Sequence, residues 1–285
     1  MSVTTFTGSS GLPLVADAYG PEDGAPVVLL HGGGQTRHAW GGTARVLGER
    51  GWRAYTVDMR GHGDSEWAPD GDYGLDAFAD DATAIATALD RPVLVGASLG
   101  GMSSLIAVGE AADQEALARA LVLVDIAPNI ESAGTDRIGQ FMIGNLDGFA
   151  SLDEVADAVA AYNPHRPRPT DLSGLKKNVR QREDGRWVWH WDPAFVTGKF
   201  GQDETRVSVI QPNRLDEAAR ALRVPTLLVR GRMSDLLSEE GARQFLETVP
   251  HAQFVDVAGA GHMVAGDRND VFNEGVLGFL ESLQP

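Results

Sequence analysis

The chain has 285 residues, a formal net charge of −16 and no cysteine. The missing cysteines exclude disulfides, thiolate catalysis and cysteine-ligated metals, and the acidity counts against a surface built to hold a phosphate backbone. With 43% hydrophobic and 22% charged residues, it has the composition of a soluble globular chain able to bury about three quarters of its unfolded surface.

The first ten residues carry no basic start followed by an apolar stretch, and no run approaches the roughly 18 apolar residues of a membrane span. We expect a cytoplasmic protein that binds neither membrane nor nucleic acid. Residues 4–18 suggest antiparallel edge strands. The run Pro26-Val-Val-Leu-Leu30 predicts a buried strand ending at His31-Gly-Gly-Gly34. A helix is expected over 39–51 and a second strand over 53–58, ending in Arg60-Gly-His-Gly63. A helix over 75–89, a strand over 92–95, a helix over 101–111 and a strand over 120–125 follow. Two further strands fall at 225–229 and 252–256. Continuous apolar character implies strands covered on both faces, and strand–helix alternation implies a mostly parallel sheet with helices on either side.

Residues 127–223 break this rhythm. Helical patterns over 136–146, 152–162 and 172–180, a Pro/Arg-rich turn at 163–169 and the run Arg186-Trp-Val-Trp-His-Trp-Asp-Pro193 replace buried strands. We read a helical lid over 127–223, inserted in a core made of 1–126 and 224–285. Trp187, Trp189 and Phe141 are candidate substrate contacts, with Met142, Phe149, Tyr162 and Phe195 behind them. The alternate tryptophans fit an edge strand or lid packing equally well.

Chemistry enters at Gly96-Ala-Ser98-Leu-Gly100, between a strand and a helix. A serine on so sharp a turn sits in strained backbone, needs small residues two before and two after it, and faces the positive end of the following helix. Ser98 is the candidate nucleophile, and a base must take its proton. Of seven histidines, His262 in Ala258-Gly-Ala-Gly-His262 stands in a small-residue loop after the last strand that can reach back over the sheet. His31 and His62 sit beside glycines at strand ends, where hydrogen-bonding a loop is their expected role. His38, His165 and His251 have no special context, and His190 stands among the tryptophans as a packing or contact residue. For the acid that orients the base we choose Asp235, in the loop leaving a strand. Asp125, which also ends a strand, is the competitor, with turn formation as its other role. The N–H of Leu99 and that of Gly33, with Gly34 as fallback, are the expected oxyanion donors. The glycine run lacks the spacing of a phosphate-binding loop.

The segments His31-Gly-Gly-Gly34, 58–65, Gly96-Ala-Ser-Leu-Gly-Gly101, Gly231-Arg-Met-Ser-Asp235 and Gly261-His262 together resemble the α/β-hydrolase superfamily, within it the lid-bearing carboxylesterase and non-haem peroxidase-like branch. The resemblance implies an eight-stranded, mostly parallel sheet, a helical lid and no cofactor or metal. It implies a carboxylesterase acting on a small, partly apolar ester through an acyl-enzyme on Ser98, as monomer or homodimer. A carbon–carbon-bond hydrolase of vinylogous diketones or a lactonase would use the same triad, and a ligand-sensing receptor would use the same fold. Serine where dehalogenases and epoxide hydrolases place aspartate argues against those activities. Leu99, where perhydrolase-like members often carry methionine, weakens the peracid reading.

Overall fold

The computed structural model describes residues 1–164, 167–198, 211–262 and 269–283. Strands β1 (Ser2–Thr7) and β2 (Pro13–Tyr19) form an antiparallel pair. They are followed by β3 (Pro26–Leu30), α1 (Gly41–Glu49), β4 (Arg53–Val57), α2 (Leu75–Ala88), β5 (Val93–Ala97), α3 (Leu99–Gly109), the single turn α4 (Gln114–Leu117) and β6 (Ala120–Val124). An insertion then supplies α5 (Ser132–Ile143), α6 (Leu152–Tyr162), a hairpin of β7 (Val179–Gln181) and β8 (Trp187–Trp189), the short α7 (Ala194–Thr197) and α8 (Pro212–Ala221). The chain closes with β9 (Thr226–Gly231), α9 (Glu239–Thr248), β10 (Gln253–Val257) and α10 (Asn269–Ser282).

The main sheet has eight strands in the order β1-β2-β4-β3-β5-β6-β9-β10. Only the β1/β2 and β2/β4 pairs are antiparallel, so the expected mostly parallel sheet is observed. Its central strands β3, β5 and β6 are apolar without interruption because both faces are covered. In β6 all five residues are buried. Leu121 and Leu123 join a core with Phe78, Ile85 and Leu105 of α2 and α3, while Val122 and Val124 join a second core with Leu47 of α1 and Phe272 of α10. Each such side chain contributes about 1.5–3 kcal/mol when withdrawn from water, which an alternating polar face would forfeit.

The register brings four loops to one sheet edge. Leu30 lies opposite Gly96, Gly96 opposite Leu123, and Val124 opposite Val229. The glycine run after β3, Ser98 after β5, Asp125 after β6 and the loop after β9 therefore leave from adjacent carboxyl ends, where open α/β sheets gather their ligands.

The insertion is less helical than expected, and it holds the strand that the alternate tryptophans allowed. Residues 152–162 form the expected helix as α6, but over 172–180 only a 3-10 turn, Ser173–Lys177, forms before the chain extends into β7. Asp184-Gly185 closes a tight turn, with Gly185 at φ 83° and Arg182 N–H donating across it to the Arg186 carbonyl at 2.8 Å. A glycine in that left-handed conformation favours a hairpin, and the alternate tryptophans then form β8. Part of the Pro/Arg-rich turn, His165 included, lies outside the described residues, as do 199–210.

Candidate active site

Ser98 has φ 47° and ψ −113°, a conformation rare for any residue but glycine. Flanking elements impose it: Ser98 N–H donates to the Val124 carbonyl at 3.3 Å, and Met102 N–H reaches the Ser98 carbonyl at 2.8 Å. A Cβ on Gly96 would stand 2.3 Å from the Gly100 carbonyl oxygen, and one on Gly100 would stand 2.5 Å from that of Leu30. The small residues two before and two after Ser98 are thus required by backbone contact. Leu99 opens α3, so its N–H has no intrahelical partner.

Two buried histidines build the glycine loop opposite. Met59 N–H donates to His31 Nε2 at 3.0 Å, so the ring proton sits on Nδ1 and is given to the Gly32 carbonyl at 2.8 Å. Gly34 N–H donates to His62 Nε2 at 3.0 Å, and His62 Nδ1–H is given to the Arg60 carbonyl at 2.8 Å. Both rings are fully buried, and loss of water around the imidazolium lowers the pKa of His31 to about 4 and that of His62 to about 3. Gly32 N–H is taken by the Gln35 side chain at 3.1 Å. Among the described residues this leaves the Gly33 N–H of the triplet without a protein acceptor, while the fallback donor Gly34 is already engaged. The motif over 58–65 is fastened beneath by the buried carboxylate of Asp58, which takes the Arg37 backbone N–H at 2.6 Å and the Arg37 guanidinium.

His262 Nδ1 lies 2.7 Å from Asp125 Oδ2. The carboxylate can only accept, so the proton is on Nδ1 and Nε2 is the basic nitrogen. Asp125 is fully buried, at φ 53° immediately after β6. Its Oδ1 accepts Gly231 N–H at 3.0 Å, and its Oδ2 also accepts the Ser234 hydroxyl. Asp235, the acid expected from the sequence, is elsewhere. Its side chain is 43% exposed and pairs with Arg137 of α5. The loop after β9 turns its carboxylate outward, and Ser234 rather than Asp235 faces inward. The sequence carried a signal for this, an aspartate closing the unbroken buried strand next to the one that bears Ser98. Ser234, the hydroxyl donor on that acid, was not identified from sequence.

Ser98, Gly33, Leu99 and His262 line one cavity of about 410 Å³. Its walls are mostly apolar and aromatic, with Phe141, Tyr162, Trp189, Trp191 and Phe195 from the insertion and Met102 from α3, and with Thr135, Asp136, Asn163 and Asn178 as polar points. Phe141 stacks on Tyr162 with ring centroids 4.4 Å apart. Trp187 does not line the cavity. It lies two residues from Trp189, roughly 7 Å along the strand, where its backbone exchanges hydrogen bonds with Phe149 at 2.7 and 2.8 Å. Phe149 likewise packs on Trp189 instead of facing the cavity. A larger surface groove of about 890 Å³ runs between α2 and α3 and contains none of Ser98, Asp125 or His262. His190 and His38 stand 3.8 Å from Asp64 and Asp17, and His251 faces the Val224 carbonyl. Among the described residues there is no group of three or more side chains able to hold a metal and no helix long and apolar enough to cross a membrane.

A family model described as the alpha/beta hydrolase fold matches residues 25–268. The chain is 30% identical to esterase Rv0045c of Mycobacterium tuberculosis over 268 residues, which cover 90% of this chain and 83% of that protein. It is 27% identical to 2-(acetamidomethylene)succinate hydrolase of Mesorhizobium japonicum over 228 residues, 79% of this chain and 77% of that one. Among solved structures, that of an E-2-(acetamidomethylene)succinate hydrolase superposes with a TM-score of 0.83 at 23% identity, covering 98% and 100% of the two chains. The M. tuberculosis esterase superposes at 0.73 with 27% identity, over 98% of this chain and 92% of that one. Sheet order, the strained serine turn and the extent of the family match agree: the chain belongs to the alpha/beta hydrolase fold family.

Proposed function

We propose that the protein is a serine hydrolase that cleaves carboxylic esters of small, largely apolar molecules through an acyl-enzyme on Ser98. The observation that carries this reading is the 2.7 Å contact between His262 Nδ1 and buried Asp125. It fixes the tautomer in which Nε2 can take a proton, within a cavity that Ser98 also lines. As Ser98 Oγ attacks the ester carbonyl, His262 Nε2 takes the hydroxyl proton, and Asp125 stabilises the resulting imidazolium. Negative charge moves to the carbonyl oxygen, where the N–H groups of Gly33 and Leu99 receive it, each worth about 3–4 kcal/mol in such a site. Collapse of the tetrahedral intermediate breaks the ester C–O bond, and His262 returns the proton to the departing alkoxide. Water then attacks the acyl carbon by the same route in reverse and frees the acid and Ser98.

The substrate class rests on the aromatic walls, and esterase activity of the M. tuberculosis relative supports the reaction type. Residues 127–223 act as the lid, because Phe141, Trp189, Trp191 and Phe195 reach the cavity from that segment. The test is Ser98→Ala on short p-nitrophenyl esters. Turnover is expected to fall by at least about a thousandfold with an unchanged melting temperature, and unchanged turnover would overturn the reading.

A further inference from the structure

Phe195 enters the cavity from the insertion, yet it is held by the core. Its ring lies against the oxyanion loop: a Cβ built on Gly33 would stand 3.3 Å from Phe195 Cζ and 3.4 Å from Cε1. Behind it, His62, Phe78 and Tyr73 meet the ring edge-on, with centroids 5.0, 5.8 and 6.0 Å away. All three belong to the close-packed body beneath the sheet edge, so the ring has no space to swing back. The backbone is fastened too. Phe195 N–H donates to the Asp192 carbonyl at 2.9 Å, and Ala194 N–H donates to Asp192 Oδ1 at 2.9 Å. Asp192 is in turn tied to the core, its N–H on the Gly61 carbonyl at 2.7 Å and its Oδ2 accepting the Tyr73 hydroxyl at 2.6 Å.

Where Met102 and Met142 line it, the cavity wall can adapt, since both are flexible side chains. The surface beside the oxyanion donors cannot. We propose that Phe195 is a specificity-determining residue, a rigid wall over Gly33 that admits groups unbranched at the atoms next to the reacting carbonyl and rejects branched ones. Tyr73 and Asp192 are its positioning residues. The inference rests on the esterase reading above, because it presumes that the carbonyl sits between Gly33 and Leu99.

The experiment compares wild type, Phe195→Ala and Phe195→Leu on two series: p-nitrophenyl acetate, isobutyrate and pivalate for the acyl side, and ethyl, isopropyl and tert-butyl esters of one acid for the alcohol side. Each enzyme is first titrated with a fluorophosphonate to count reactive Ser98. One or two methyl groups at a tight apolar wall discriminate by about 10–200-fold. We therefore expect the branched-to-unbranched ratio of kcat/KM to rise at least tenfold in one series or both for Phe195→Ala, and in the same series for Phe195→Leu, which keeps an apolar plug if the alanine variant fails to fold. Trp187→Ala, off the cavity, leaves both ratios unchanged. Ratios within threefold of wild type in both series, in variants with full fluorophosphonate labelling, overturn the assignment of Phe195 and leave the esterase reading standing. No labelling of Ser98 in wild type removes both.

Discussion

Replacing Asp125 and Asp235 separately by asparagine distinguishes the acid bound to His262 from the one expected from the sequence. Asp125 holds three donors in a fully buried site: Gly231 N–H on Oδ1, and Ser234 O–H and His262 Nδ1–H on Oδ2. Asparagine keeps the shape but offers an NH2 where two donors already point. Either those donors lose their acceptor, or His262 turns to the tautomer whose proton is on the nitrogen meant to receive one from Ser98. The corresponding change in a serine protease lowers kcat by about ten-thousandfold with the geometry preserved, so kcat should fall by roughly 10³–10⁴ with KM little changed. Asp235, 43% exposed and paired with Arg137, contributes at most about 1 kcal/mol, and Asp235→Asn should hold kcat within about twofold. Initial rates on p-nitrophenyl acetate, beside circular-dichroism melts that certify folding, give the comparison. A collapse of kcat in Asp235→Asn with Asp125→Asn still active would refute the reasoning.

Stability should fall on acidification between pH 6.5 and about 4. Unfolded imidazoles ionise near 6.5, whereas buried His31 and His62 resist protonation down to about 4 and about 3. Above pH 6.5 neither state carries the protons. Below it the unfolded chain binds two that the native state refuses, which removes about 2.7 kcal/mol per pH unit. Urea midpoints at pH 7, 6 and 5 measure this, and a midpoint independent of pH over that range would contradict it. Gly100→Ala, with its Cβ 2.5 Å from the Leu30 carbonyl oxygen, should destabilise by about 3 kcal/mol in a urea titration and lower ester turnover with it. Ser234→Ala removes one hydroxyl donor from the Asp125 carboxylate, a hydrogen bond to a charged group worth about 1.5–3 kcal/mol, so kcat should drop by about 10–150-fold, and a drop as large as that of Asp125→Asn would show that its hydroxyl does more than orient the acid.

The parallel sheet was legible because β3, β5 and β6 are apolar throughout and β9 carries the apolar run Leu227-Leu-Val229, the pattern left by burial on both faces. That Ser98 and His262 come to one cavity was legible because the proposed chemistry imposes local rules, a serine between glycines at a strand–helix junction and a histidine in a small-residue loop after the last strand. The partner of His262 was not, since Asp125 follows one strand and Asp235 lies in the loop after another, both at the same edge of the sheet. What separates them is the direction in which the loop after β9 turns its side chains, set by long-range contacts such as Gly231 N–H on Asp125 Oδ1 at 3.0 Å. The roles of His31 and His62 could be named as loop tethers. That His62 takes the Gly34 N–H and Gln35 the Gly32 N–H, leaving the Gly33 N–H without a protein acceptor among the described residues, needed three dimensions. The insertion was legible least. Trp187, Trp189 and Trp191 have the same spacing in a strand or a packed loop, and only tertiary contact decides that Trp189 and Trp191 meet the cavity while Trp187 does not.

The most direct test of the central claim is to catch the acyl group. Enzyme mixed with excess p-nitrophenyl acetate and acid-quenched within milliseconds to seconds should release a burst of one p-nitrophenolate per active site. Peptide mass spectrometry should place the added acetyl on the serine of Gly96-Ala-Ser98-Leu-Gly100. Steady ester turnover with no adduct, or with the adduct on any other residue, would contradict the account.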